Sequence, residues 1–81
     1  MSDQADAVME LDVREMTPRD RHPRNFADID SLEPGTSLLL INDHDPKPLH
    51  YQLMAEREGQ IGWTYIESGP EVWKVRITRL G

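Results

Sequence analysis

Leu38 Leu39 Leu40 Ile41 Asn42 Asp43 His44 Asp45 Pro46 Lys47 Pro48 is the stretch that decides how this chain folds. A continuous apolar run this short reads as a central strand covered on both faces or nearly so. It ends in a polar, histidine-bearing turn, and Asp45 followed by Pro46 reads as an N-cap and first helical position. Leu49 and Leu53, with Tyr51, Met54 and Arg57, then follow helical spacing, which predicts a helix over Lys47 to Glu58 stopped by Gly59. A strand end that meets a helix start is where open α/β sheets keep their ligand sites.

Upstream, Met9, Leu11 and Val13 alternate with Glu10, Asp12 and Arg14, the period of a half-buried strand over roughly Glu10 to Arg14. Thr17 and Pro18 break that pattern. Pro23 sits where a helix could begin, and Phe26, Ile29 and Leu32 supply its apolar stripe, so a helix is predicted over Pro23 to Ser31. Glu33 Pro34 Gly35 Thr36 places proline and glycine at the central positions of a type II turn, which returns the chain into Ser37 to Ile41. Downstream, Ile61, Trp63 and Tyr65 alternate with Gly62 and Thr64, Ser68 Gly69 Pro70 makes a turn, and Trp73, Val75 and Ile77 alternate with Lys74, Arg76 and Thr78. The chain therefore closes in a hairpin.

The element order is β-α-β-α-β-β, and a strand, helix, strand unit crosses right-handed almost without exception. The expected fold class is α+β: a two-layer α/β sandwich with a mixed four-stranded sheet and two helices on one face. Residues 1–8 read as a disordered leader and 9–81 as one domain.

Composition narrows the function classes. At 81 residues the chain buries only about 60 to 65% of the surface its unfolded form exposes. Its 37% hydrophobic and 30% charged residues are those of an ordinary globular protein, and no apolar run approaches a membrane span. The first ten residues carry Asp3, Asp6 and Glu10 without lysine or arginine, unlike a signal peptide, so the expected compartment is the cytoplasm. The absence of cysteine excludes disulfides, thiolate metal sites and thiol chemistry. A net charge of −6 argues against nucleic acid, and the basic concentration at Arg14, Arg19, Arg21 and Arg24 is interleaved with Asp12, Glu15 and Asp20.

The predicted strand ends and helix starts gather Arg14, Asn42, Asp43, His44, Asp45 and Lys47, with His22 and Arg24 from the start of the first helix. Two helix N-termini there suit an anion or a polar small molecule. The competing account is structural: Asp45 caps the second helix, Asn42 and Asp43 satisfy the turn, and Arg14 pairs with Asp12 or Glu15. His22, His44 and His50 with Asp20, Asp43 and Asp45 bring a metal to mind, but their spacing matches no metal motif, so no metal ligands are assigned. His44, flanked by two carboxylates, has the surroundings of a general base but no partner nucleophile, and Ser37, Ser68 and Thr36 belong to no triad order. Trp63 and Trp73 are expected on the helix-covered face as a large share of the core; the alternative is that one of them, with Met54 or Tyr51, lines a shallow apolar pocket.

Leu11 Asp12 Val13 Arg14, His22 Pro23 Arg24, Asn42 to Leu49, and Gly69 Pro70 Glu71 Val72 Trp73 resemble bacterial proteins of the domain of unknown function 2249 family (DUF2249), over nearly the whole span from Leu11 to Arg79. The resemblance implies a fold like that of the TusA/SirA sulfur carriers. Leu11, Asp12 and Arg14 fit the opening motif of those carriers, but Glu15 replaces its glycine and the region of His22 and Pro23 lacks their cysteine, so persulfide chemistry does not carry over. Family members occur fused to or encoded near hemerythrin-like and cupin-like proteins, which implies a role beside respiratory, redox or nitrogen-oxide metabolism. The leading expectation is a non-catalytic domain that binds a small molecule or a protein partner at the edge holding Arg14, His22, Arg24, Asn42, Asp43, His44, Asp45 and Lys47. The other expectation is a heme- or metal-binding accessory, with His22, His44 or His50 as candidate axial ligands.

Overall fold

A computed structural model describes residues 9–81; the leader expected over 1–8 lies outside the described residues. The elements are β1 (Met9–Asp12), α1 (Pro18–Asp30), β2 (Ser37–Asn42), α2 (Lys47–Glu56), β3 (Ile61–Ser68) and β4 (Trp73–Arg79). They build a four-stranded sheet in the order β1-β2-β4-β3. β2 runs parallel to β1 and antiparallel to β4, and β3 pairs antiparallel with β4. The chain thus adopts the expected β-α-β-α-β-β arrangement.

Strand periodicity puts the core on one face. Leu11, Leu40 and Val75 lie side by side across the sheet, as do Leu38 and Ile77 one pair further on. The helices close over them with Ile29, Leu32, Leu49 and Leu53, and Val13, Leu38, Leu40, Leu53, Val75 and Ile77 are wholly removed from solvent. The opposite face has no helix. β2 is therefore central but not covered on both sides, and its outward Leu39 and Ile41 register against Arg76 and Lys74, whose long stems can shield apolar neighbours. The tryptophans sit at the margin of an aliphatic core rather than forming it: Trp63 packs against the cluster and stacks face to face on His50 at 4.4 Å.

Three boundaries differ from the sequence expectation. α1 begins at Pro18, one turn and more before Pro23, which lies inside the helix. The ring at Pro23 removes one intrahelical bond, and contacts of Arg21 described below hold the turn that precedes it. β1 ends at Asp12, although the Val13 N–H still donates to the Ile41 carbonyl at 3.0 Å. α2 stops at Glu56 because Arg57 leaves the helical conformation, and its guanidinium reaches Asp30 at the end of α1 at 2.9 and 3.0 Å. That charge-assisted pair ties the two helix ends together and holds the Asp30 carboxyl below the usual carboxylate range.

The turns follow the residues. Gly35, at φ 89°, takes the third position of the Glu33 to Thr36 turn, closed by Thr36 N–H to the Glu33 carbonyl at 3.0 Å. Gly69, at φ 78°, combines left-handed backbone with a close approach: a Cβ there would stand 2.6 Å from the Trp73 ring. Gly59 has a similar φ of 76° but open space around it. Gly59→Ala is therefore expected to cost about 1 kcal/mol for the backbone alone, and Gly69→Ala roughly 1 to 2 kcal/mol more for the displaced indole. Urea unfolding followed by tryptophan fluorescence checks the order of the two midpoints.

Candidate functional site

The first turn of α1 is anchored by Arg21, a residue whose side chain is only 12% exposed. Its Nε donates to the Met16 carbonyl at 2.9 Å and its Nη2 to the Arg14 carbonyl at 3.1 Å. Its Nη1 donates to Asn42 Oδ1 and Asp43 Oδ1, both at 3.0 Å, and Nη2 also reaches Asp43 Oδ2 at 3.3 Å. Five contacts use the five N–H donors of a guanidinium. Arg21 thus joins the loop after β1, the first turn of α1 and the end of β2, and no donor is left over for a ligand.

Asn42 is buried, and its Oδ1 also accepts the Asp43 backbone N–H at 2.8 Å. Asp43 in turn accepts from His44 Nδ1 at 2.8 Å. Hydrogen bonding by Arg21 first, and by His44 second, holds the Asp43 carboxyl far below the usual carboxylate range.

Beside this clamp lies a cleft of about 110 Å³ lined by Pro18, Arg21, His22, Asn25, Asn42, His44, Pro46, Pro48 and Leu49. It opens between the first turns of the two helices at the end of β2, the position the strand-end argument predicts. Asn25 is 4% exposed, and its Oδ1 has no hydrogen-bond partner among the described residues. An unpaired buried carbonyl costs roughly 1 to 3 kcal/mol. His22 reaches Gln52 Oε1 through Nε2.

Of the residues expected at the site, His22, Asn42 and His44 line this cleft, and Asp43 braces it from outside through Arg21 and His44. The others serve elsewhere. Arg14 closes on Asp12 with a bidentate bridge at 2.7 and 2.9 Å, which lowers the Asp12 pKa. Arg24 pairs with Asp28 one turn along α1 at 3.0 Å. Asp45 does not cap α2, whose N-cap position is Pro46; it accepts the Tyr65 hydroxyl at 2.7 Å, and burial together with that bond raises the tyrosine pKa. Lys47 is exposed at the first position of α2, outside the lining. His50 stacks on Trp63.

The helix starts also offer fewer free N–H groups than their number implies. Pro18 opens α1, and Pro46 and Pro48 flank the first residue of α2, so three ring nitrogens replace donors. The Asp20 and Arg21 N–H groups turn back to the Thr17 carbonyl at 2.9 and 3.2 Å, and the His50 N–H to the Pro46 carbonyl at 3.1 Å. Asp20 already occupies the positive end of α1. Among the described residues no group of three or more histidine, aspartate or glutamate side chains converges as for a metal ion, and no helix is long and apolar enough to cross a membrane.

Arg21 and Asn25 were not singled out from sequence. The signal for them is the α1 stripe itself: once the helix starts at Pro18, Arg21, Asn25, Ile29 and Leu32 recur on one face, and the first two are polar residues facing inward.

The Asp43 pairing makes stability depend on acid. A carboxyl whose folded pKa lies below its unfolded value contributes stability above the unfolded value of about 4, and loses it as pH falls further. Asp43→Asn is expected to unfold at lower urea than the parent at neutral pH, with the two midpoints converging below about pH 4. Midpoints measured across that range check both the sign and the window.

The comparisons with known proteins are concise: residues 10–79 match the model of a family described as "Uncharacterized conserved protein (DUF2249)". No curated protein and no solved structure gives a significant match. Because that match spans all four strands and both helices, apart from the first residue of β1, the chain belongs to the DUF2249 family.

Proposed function

We propose that this domain is a non-catalytic binding module that holds a small polar molecule in the cleft between the first turns of α1 and α2. One observation carries the reading: the buried Asn25 Oδ1, without a partner, at the wall of that cleft. Buried polar atoms are overwhelmingly hydrogen-bonded in folded proteins. A small domain with a modest core has little reason to keep an unpaired one unless something visits it.

The lining favours binding over reaction. It consists of prolines, a leucine, two asparagines, two histidines and a saturated arginine, with no hydroxyl, thiol or amine nucleophile. The Asp43 and His44 pair has the orientation of a base and its support, since Nδ1 donates to the carboxylate at 2.8 Å. Asp43 is also committed to Arg21, and the chain supplies no reacting group opposite.

A residue kept for a ligand at the expense of folding leaves a measurable trace. Asn25→Leu preserves approximate volume and removes the orphan carbonyl. It is expected to raise the stability of the ligand-free protein by about 1 kcal/mol, several degrees in Tm for a domain of this size, and to abolish binding at the cleft. Thermal unfolding of both proteins, with amide NMR spectra recorded against a broad panel of small polar molecules, tests this. A destabilised Asn25→Leu protein, or a panel that leaves the amides of Arg21 to Asn25 and Asn42 to Leu49 unmoved, overturns the reading.

A further inference from the structure

The orphan atom and its surroundings also select among ligand classes; this step rests on the cleft being a binding site. The fixed partners assign the acceptors. His44 donates through Nδ1 to Asp43, which in the neutral ring leaves Nε2 as an acceptor. His22 engages Gln52 Oε1 through Nε2, which leaves Nδ1 as an acceptor. Asn25 Oδ1 is a third acceptor, and the deepest. On the donor side, Asn42 has spent its oxygen on Arg21 and on the Asp43 N–H, so its Nδ2 carries what it can offer. Asn25 carries an N–H₂ beside its own carbonyl.

Charge is balanced. The Arg21 guanidinium is paired with Asp43 at 3.0 Å and has no donor to spare. The helix starts at Pro18 and Pro46 to Pro48 lack the run of backbone N–H groups that makes an anion cradle. A carboxylate or phosphate has only acceptor oxygens and would face Asn25 Oδ1, His44 Nε2 and His22 Nδ1 without a proton to give. An ammonium has protons, but no uncompensated carboxylate lines the cleft to balance its charge against walls of Pro18, Pro46, Pro48 and Leu49.

We propose that the cleft takes a neutral, planar group with an N–H beside a carbonyl: a carboxamide, a urea or a lactam. Its N–H meets Asn25 Oδ1, and its carbonyl accepts from the Asn25 or Asn42 side-chain N–H₂. The pyrrolidine rings flank the flat faces of the group. A cleft of about 110 Å³ has room for such a group in place of several waters.

Three probes of similar size separate the classes: acetamide, acetate and methylammonium, with 2-pyrrolidinone as the lactam. Each is titrated into the ¹⁵N-labelled full chain at neutral pH, at matched ionic strength. Acetamide and 2-pyrrolidinone are expected to produce saturable shifts at Arg21 to Asn25 and Asn42 to Leu49, at concentrations about tenfold lower than either ion requires, the factor that one matched hydrogen bond supplies. His44→Ala, at an exposed position that folding does not need, is expected to weaken both amides severalfold while the fold is unchanged by its spectrum. Equal or tighter binding of acetate or methylammonium at the same residues overturns the ligand class and leaves the cleft standing as a site. Silence from all four probes, with the panel above also silent, overturns both.

Discussion

The cleft depends on the saturation of one guanidinium. Arg21 enters the structure from the first turn of α1 and reaches the carbonyls of Arg14 and Met16, the side chain of Asn42 and the carboxylate of Asp43. Those groups belong to segments that are distant in sequence and have no ladder hydrogen bonds to align them. A planar fork with fixed donor directions can satisfy all of them from one point; a lysine ammonium, with three donors and no plane, could not. The same contacts explain how α1 tolerates Pro23 in its interior, because the turn before the proline is held from outside the helix.

This clamp sets the electrical character of the site. The chain carries a net charge of −6, and its cleft contains an arginine, two histidines and the flank of an aspartate, yet the arginine and the aspartate cancel at 3.0 Å. What remains is a neutral surface with specific donors and acceptors and apolar walls. Selectivity in such a place comes from hydrogen-bond matching rather than from attraction at a distance, and a ligand that lacks the right proton leaves Asn25 as unsatisfied as it was before.

The layout of the fold was legible because each element carries its own period. Leu11, Leu38, Leu40, Val75 and Ile77 alternate with outward residues and all reach the core, and the Glu33 to Thr36 turn holds Gly35 where a positive φ is needed. What sequence periodicity does not convey is a polar residue that points inward for a tertiary reason. Pro23 reads as a helix start in isolation, so the turn containing Arg21 was left outside the helix and Asn25 seemed one more polar helical position. Asp45 reads as a cap because aspartate before proline does so on average, while here a tyrosine from the adjoining hairpin claims its carboxylate. His22, Asn42 and His44 were legible as site residues because strand-end topology brings them together whatever their individual partners are.

Three of the residues lining the cleft are prolines, at 18, 46 and 48. Each fixes its own φ near −65° and narrows the choices of the residue before it. The conformational entropy of these walls is therefore surrendered when the chain folds and not when a ligand arrives. Docking into a surface already in its bound shape loses little freedom on the protein side, so even a guest with few atoms can be held by a small number of contacts. The rigidity also works as a gauge: walls that cannot yield discriminate by thickness, admitting a flat group and refusing its puckered or branched analogue.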